Sequence, residues 1–537
     1  MVITVTAMVL KLSSRLACCA LILTCWSSSA SELVITPRVG IEAIHTDNVT
    51  LAENDKESSL VSMVKPGINL TFVGARANLE LDYEYSKAYY SHDHDLDNHF
   101  NELAMSSSLE LKPKGLSIFA QGSIRNVSRN TARNSIADIV SGDTVEFKSV
   151  NTGLAYNTRS SAFIIDSTIA YSKSSADDGI GNREGYVANL KSQNGRSADV
   201  IFWDINGNYS DYESDQNTGR FYTAEAIVGW ITSYKINPFI RYYDEDTSGN
   251  LQTQNIQGTS SIGAGVRWLA SKHLQLEVAY NAVDEESEAI GDVSAKQEDY
   301  YSASVKWQPS SRSSLDARYY QRFFGEAYQL NATHGSKRIT STATYNESLD
   351  VFDRFELVPS ELQEVWCLAD DITNIDQCLL APGENTNLDD YLLVGEVEVL
   401  TPEQADYFVL NKQFNFTSTL ALKRTDYSIS FGKQKRENLD LESYDEYESA
   451  RFNISRKTSK VSELSIYAAI NKNNLGNGNP QSISQIDYYH SYGASFEQNL
   501  NRSLVITYSL LHLNRNSNRL DYNYEENRLS LSLVKNF

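Results

Sequence analysis

The chain has 537 residues, a formal net charge of −22 and a mean hydropathy of −0.40. The acidity excludes the basic face of a nucleic-acid binder, and the low hydropathy excludes a bundle of membrane-crossing helices. At this length a soluble protein would divide into about three or four domains, yet no composition shift, Pro-rich hinge or Gly/Ser linker marks a boundary.

From the start, Met1 to Ala30 reads as a secretory signal peptide. Lys11 and Arg15 supply its positive region, Leu16 to Trp26 is apolar, and Ser28-Ser29-Ala30 offers a cleavage site with Ser31 as the mature start. Leu23-Thr24 before Cys25 makes a poor lipobox, so a lipid anchor is not expected. No later segment approaches 18 apolar residues. Export by the Sec route without a helical anchor leaves the periplasm, the medium or the outer membrane of a Gram-negative cell.

From about Leu33 onward the chain alternates apolar and polar residues. Ala77, Leu79, Leu81, Tyr83 and Tyr85 oppose Asn78, Glu80, Asp82 and Glu84; Ile201, Trp203, Ile205 and Tyr209 oppose Asp204, Asn206 and Asn208. Leu274, Leu276, Val278 and Tyr280 oppose Gln275, Glu277 and Asn281. Leu315, Ala317, Tyr319 and Phe323 oppose Asp316, Arg318 and Arg322. Period-two patterning is that of strands with one apolar face. A charged second face is costly in a dry sandwich core but suits a water-filled lumen. Tyr is abundant at 32 residues, and many apolar faces end in an aromatic ring, as an interfacial girdle requires.

Eleven tight connections, such as Val73-Gly74-Ala75-Arg76, Lys112-Pro113-Lys114-Gly115 and Ser310-Ser311-Arg312, alternate with twelve mostly longer, acidic ones. Together they predict an all-β, single-chain antiparallel transmembrane β-barrel spanning 31–537, of about 24 strands (22–26), with short periplasmic turns and long outer loops. The last strand, with Leu529, Leu531 and Leu533 against Ser530 and Ser532, ends on Phe537. Such an ending is a signal for the barrel-insertion machinery, and the apolar outside implies outer-membrane lipid and lipopolysaccharide as neighbours.

The loop Asp350 to Pro402 departs from the pattern. It is a candidate cap or inward-folded plug, with a surface excursion as the alternative. It holds the two mature cysteines, Cys367 and Cys378, which in an oxidising compartment are expected to form a loop-stapling disulfide. Ser91-His92-Asp93-His94-Asp95 with His99 has the composition of a metal cluster, but in a loop rich in Asp and Asn a solvated turn is the expected reading, and no metal site is predicted. No G-x-S-x-G, H-E-x-x-H, Walker or dinucleotide motif is present, so neither an enzyme nor a cofactor is expected. The lumen-facing charges Glu80, Asp82, Glu84, Glu277, Asp316, Arg318 and Arg322 are the candidate substrate-contacting residues, against the plainer reading that they neutralise one another and stiffen the wall.

Several segments resemble the PEP-CTERM-system-associated outer-membrane barrel family: Thr46-Asp47-Asn48-Val49, Lys65-Pro66-Gly67-Ile68, Tyr319-Tyr320-Gln321-Arg322-Phe323-Phe324-Gly325 and Tyr345-Asn346-Glu347-Ser348. The resemblance implies a conduit or assembly partner in exopolysaccharide export or surface-protein sorting, with polysaccharide or periplasmic export components as partners. It carries no catalytic residues. The alternatives are a general diffusion porin and a non-transporting scaffold or sheath around a partner. A plugged receptor would need an N-terminal plug, whereas strand signals begin by Leu33, and a β-solenoid would need a fixed repeat that the irregular hairpin spacing lacks.

Overall fold

The computed structural model describes residues 31–537 apart from 114, 130–135, 137, 180, 215–216, 251–257, 285–297, 353–355, 369–378, 381–390, 404–406, 439–442, 478–483 and 520–521. The strands are β1 (Glu32–Thr46), β2 (Ser59–Val73), β3 (Ala77–Tyr90), β4 (Asn98–Glu110), β5 (Leu116–Ser128), β6 (Thr144–Arg159) and β7 (Phe163–Ala176). Next come β8 (Arg183–Asn194), β9 (Ile201–Glu213), β10 (Thr218–Trp230), β11 (Ile236–Gly249), β12 (Thr259–Ser271), β13 (Leu274–Val283) and β14 (Tyr300–Ser310). They are followed by β15 (Ser313–Arg322), β16 (Gly325–Gly335), β17 (Ile339–Phe352), β18 (Glu356–Leu368), β19 (Leu379–Leu380), β20 (Tyr391–Glu403) and β21 (Tyr407–Ala421). The chain ends with β22 (Thr425–Asn438), β23 (Ser443–Lys457), β24 (Ser462–Asn477), β25 (Gln485–Asn501), β26 (Leu504–Ser517) and β27 (Tyr524–Asn536).

Twenty-four of these strands form one antiparallel sheet in which each pairs with its chain neighbour, β17 passes to β21, and β27 returns to β1. The sheet is a closed barrel, with the predicted strand number. The eleven tight connections expected from sequence lie at the end that carries both Glu32 and Asn536, while the two-residue β15–β16 turn lies at the opposite end. Barrel strands run from 10 to 17 residues, longer than the ~9–11 that a tilted strand needs to cross a bilayer.

Alternation sorts the side chains by neighbour. Outward lie Ile35, Val39 and Ile41 on β1, Ile262 and Val266 on β12, Leu510 on β26 and Leu529 and Leu531 on β27, all exposed. Exposed apolar rows of this extent belong against lipid. The outward Trp230, Trp268 and Trp307 sit at the short-turn end, while the outward Tyr89, Tyr186, Tyr301 and Tyr328 sit toward the opposite end. Trp307 and Tyr301 share one strand and stand six residues apart, about 20 Å at ~3.3 Å per residue. Amphipathic rings thus mark both edges of the apolar band.

Closure rests on the β1–β27 ladder, which runs from Arg38↔Asn536 to Thr46↔Arg528, nine pairs against the fifteen that join β1 to β2. Polar contacts reinforce its outer end. Glu526, fully buried on the inner face, accepts hydrogen bonds at Oε1 from Thr46 Oγ1, Ser141 Oγ and Arg528 Nε, each 2.6 Å. Above it Asn527 donates to both oxygens of Asp47, from its backbone at 2.7 Å and its side chain at 2.8 Å, and Asn48 Nδ2 donates to the Glu525 carbonyl at 2.9 Å. At the other end the Phe537 N–H donates to the Pro37 carbonyl at 2.9 Å. The final aromatic is tied into the seam.

The long insertion has a backbone of its own. β18 pairs with β20 and β19 in a separate three-stranded sheet. The first rungs, Glu356↔Glu403 and Leu357↔Pro402, keep the register of the last β17–β21 rung, Phe352↔Tyr407. The insertion therefore carries the ladder of that hairpin onward at the end opposite the short turns. The expected Cys367–Cys378 bridge and the signal peptide fall outside the described residues.

Removing one partner of a buried, hydrogen-bonded charge pair typically costs about 3–5 kcal/mol. Glu526→Ala is therefore expected to lower the temperature at which the folded band converts to the unfolded one on semi-native gels. Glu526→Gln, which can still accept from Thr46 and Ser141, is expected to lower it less.

Candidate functional site

The inner face gathers its charges into two sets. The first lies on β1–β3. Arg38 grips Asp82 bidentately, Nη1 to Oδ2 at 2.9 Å and Nη2 to Oδ1 at 2.7 Å, and its Nε donates to Glu84 at 3.2 Å. Lys65 bridges to Glu42 one rung away. Gly67 makes this crossing possible, since a Cβ there would stand 2.9 Å from Arg38 Nε. Glu80 continues the same face opposite Thr71. Glu80 is exposed to the lumen, and the others are half-buried and line the wall.

Over the outer part of that wall folds the loop after β5. Asp138 accepts from Arg528 Nη1 at 2.6 Å, Ser141 reaches Glu526, and Tyr90 Oη donates to the Ile139 carbonyl at 3.0 Å. Val140 is buried among Ile44, Val61, Met63 and Tyr90, all on the inner face. A segment packed inward is thus present, and it comes from the β5–β6 connection.

The second set lies on β9–β17, where the wall bends sharply. Arg318 Nη1 on β15 stands 3.7 Å from Glu225 Oε2 on β10, and Lys306 Nζ on β14 stands 3.6 Å from Asp204 on β9. Five strand spacings measure about 24 Å along a wall at ~4.8 Å each, more than two such side chains can bridge across a gently curved surface. The inner faces of these strands therefore turn toward each other and enclose a lobe. Arg241 donates to Glu225 at 2.7 Å and to Tyr300 Oη at 2.9 Å. Arg322 pairs with fully buried Glu245 at 2.8 Å. Arg267 binds Glu277 at 2.6 Å and lies 3.8 Å above the ring of Phe202.

Apolar clusters flank the lobe toward both ends. Phe202, Ile227, Phe239 and Ala279 pack near the short turns. Tyr212, Leu349 and Phe408, joined by Phe221 and Phe323, pack at the far end. Between them lies a cavity of about 600 Å³. Gly265 permits the bend: a Cβ there would come within 2.4 Å of Phe239 Cζ and 2.6 Å of the Val278 carbonyl.

Of the residues singled out in sequence, Glu277, Asp316, Arg318 and Arg322 come together in the lobe, while Glu80, Asp82 and Glu84 form the separate β3 set. Phe323, expected on the outward face of β15, instead joins the apolar cluster at the far end of the lobe, because the β15–β16 turn is only two residues long and its rings fold over the rim. Alternation does not reveal Arg38, Glu225, Arg241 and Glu245 as partners: Arg241 meets Glu225 on the neighbouring strand, Arg38 reaches two strands along, and Arg318 and Arg322 reach Glu225 and Glu245 five and four strands away; the glycines on the inner face of β12 are the local mark of the bend.

The histidine-rich stretch after β3 spends its side chains locally. Asp93 accepts from the Asp95 N–H at 2.9 Å to cap the 3₁₀ turn His94–Leu96. His99 stacks on Tyr85 with ring centroids 6.0 Å apart. The Asp97 carboxyl, held below the usual range by the N–H of Tyr90, faces His94 Nδ1 at 3.3 Å. Among the described residues no three His, Cys, Asp or Glu side chains converge as metal ligands.

In sequence the chain matches no family model and no curated protein. In fold it is similar to the siderophore receptor PirA from Acinetobacter baumannii, at 8% identity and a TM-score of 0.43 over 95% of this chain and 81% of that one. It is also similar to the FrpB iron transporter from Neisseria meningitidis, at 9% identity and a TM-score of 0.42 over 94% and 81% of the two chains. A third similarity is to OpdQ from Pseudomonas aeruginosa, at 9% identity and a TM-score of 0.33 over 94% and 98%.

Gly265→Leu should force the Phe239 ring out of its seat and abolish the heat-modifiable folded form. Ala264→Leu, one residue away on the exposed outward face, should leave that form intact. Equal behaviour of the two variants on semi-native gels would refute the close approach as the cause of the bend.

Proposed function

We propose that this outer-membrane barrel is a conduit or assembly partner for a hydrated, polar substrate, acting in exopolysaccharide export or in the sorting of surface proteins. The observation that carries the reading is the inner wall: it is built from hydroxyls, amides and charges, and many of those charges are paired within the wall. A wall of this kind exchanges hydrogen bonds with a hydrated chain without holding it by a strong net field. On the same reading the barrel is inserted from the periplasm through its C-terminal strand, sits among lipid and lipopolysaccharide, works with periplasmic export components and performs no bond-breaking chemistry. General diffusion is the second reading, favoured by the paired charges of the wall, which leave little basis for selecting among polar solutes.

Single-channel recording of the purified protein separates these roles from that of a closed scaffold. Wild type is expected to conduct. Asp138→Ala, which frees the inward loop from Arg528, is expected to raise the conductance. A chain lacking 350–402 should conduct like wild type if the insertion stands clear of the passage, and far more if it plugs it. No current from any of the three would exclude a conduit. Deleting the gene should reduce surface polysaccharide or sorted surface protein if the pathway assignment holds, and should leave both unchanged if the protein is a general pore.

A further inference from the structure

The lobe lined by β9–β17 is a recess in the wall with an apolar cluster toward each end. Its volume of about 600 Å³ falls in the range of small-molecule binding pockets, about 300–1,000 Å³. Its lining carries four cationic side chains and four carboxylates, so the cavity has no net charge. The guanidiniums are already engaged: Arg241 by Glu225, Arg318 by Glu225 and Asp316, Arg322 by Glu245. An anionic ligand that sought a guanidinium would have to break such a pair in a site where it is hard to replace, which leaves only Lys191 among the cations of the lining.

The uncharged groups have hydrogen-bonding capacity to spare. Asn206 gives one N–H to Asp204 at 3.1 Å, and Asn208 gives one to Thr223 Oγ1 at 3.1 Å. A side-chain amide has two N–H donors and a carbonyl with two lone pairs, so each neighbour fixes the amide's orientation and leaves a donor and an acceptor available. Gln329 and Asn346 add two more amides to the lining, and the ring of Tyr320 adds a flat apolar surface. Oriented amides beside an aromatic face suit a ligand with many hydroxyls on one side and C–H groups on the other.

We propose that this lobe is a binding site for a short, neutral oligosaccharide segment, held by amides and a tyrosine ring, with the internal ion pairs fixing the shape of the site. The assignment deepens the proposed function and rests on its reading of a hydrated substrate, but it concerns equilibrium binding in a side chamber, whereas the conduit concerns the open part of the barrel.

Calorimetric titration of the full-length protein in detergent micelles tests it. The probes are maltotriose, cellotriose and triacetylchitotriose, with trigalacturonate as the anionic comparator. At least one neutral trisaccharide is expected to bind, and to bind at least about tenfold more tightly than trigalacturonate. Asn206→Leu and Gln329→Leu, made separately and confirmed by their heat-modifiable bands to be folded, are each expected to weaken that binding by about fivefold to tenfold. Absence of binding by all three neutral sugars, equal or tighter binding of trigalacturonate, or undiminished binding in both folded variants would overturn the proposal. Conductance without sugar binding would remove the site and leave the conduit; sugar binding without conductance would remove the conduit and leave the site.

Discussion

A backbone N–H facing hydrocarbon has no water to turn to, so a sheet that crosses a bilayer must leave no edge. Here that requirement falls on the β1–β27 ladder, the one pairing between strands at opposite ends of the chain. It is shorter than the β1–β2 ladder beside it, and the chain reinforces it from within. Glu526 is the centre of that reinforcement, because a carboxylate with no exposure needs donors, and its Oε1 draws three of them, from β1, from β27 and from the loop after β5. The same loop is thereby drawn against the wall, so closing the sheet and shaping the lumen are one arrangement.

A second consequence of closure is that a long wall need not be round. Twenty-four strands enclose more interior than side chains can fill, and β9–β17 turn inward to make a lobe of their own. Cross-lobe pairs such as Arg318–Glu225 and Arg322–Glu245 hold the fold of the wall. In that setting a charged inner residue is mainly a fastener. The uncharged amides between the fasteners are left to meet a ligand.

The segments Thr46–Val49, Lys65–Ile68, Tyr319–Gly325 and Tyr345–Ser348 fall at these mechanical points. Thr46, Asp47 and Asn48 bond across the seam, and Gly67 makes room for Arg38. The Arg322 side chain reaches both Glu245 and the Glu347 carbonyl, linking the Tyr319–Gly325 and Tyr345–Ser348 stretches to the lobe. Their chemistry is architectural.

Local pattern was enough to determine the all-β class, the strand number, the outward and inward faces and the alternation of short and long connections, because each depends on residues two apart or on a turn of a few residues. Leu529, Leu531 and Leu533 declare their face without reference to anything distant. Which inner charges meet depended on the tertiary structure. Arg318 and Arg322 were legible as lumen-facing, but their partners Glu225 and Glu245 lie five and four strands away, and only the curvature of the wall brings them together; Glu277 meets Arg267 directly across the β12–β13 ladder. The inward position of the β5–β6 loop was likewise decided by Glu526 and Arg528, nearly four hundred residues away, since periodicity records which side of a strand a residue occupies and carries no information about what the far side of a closed barrel places opposite it.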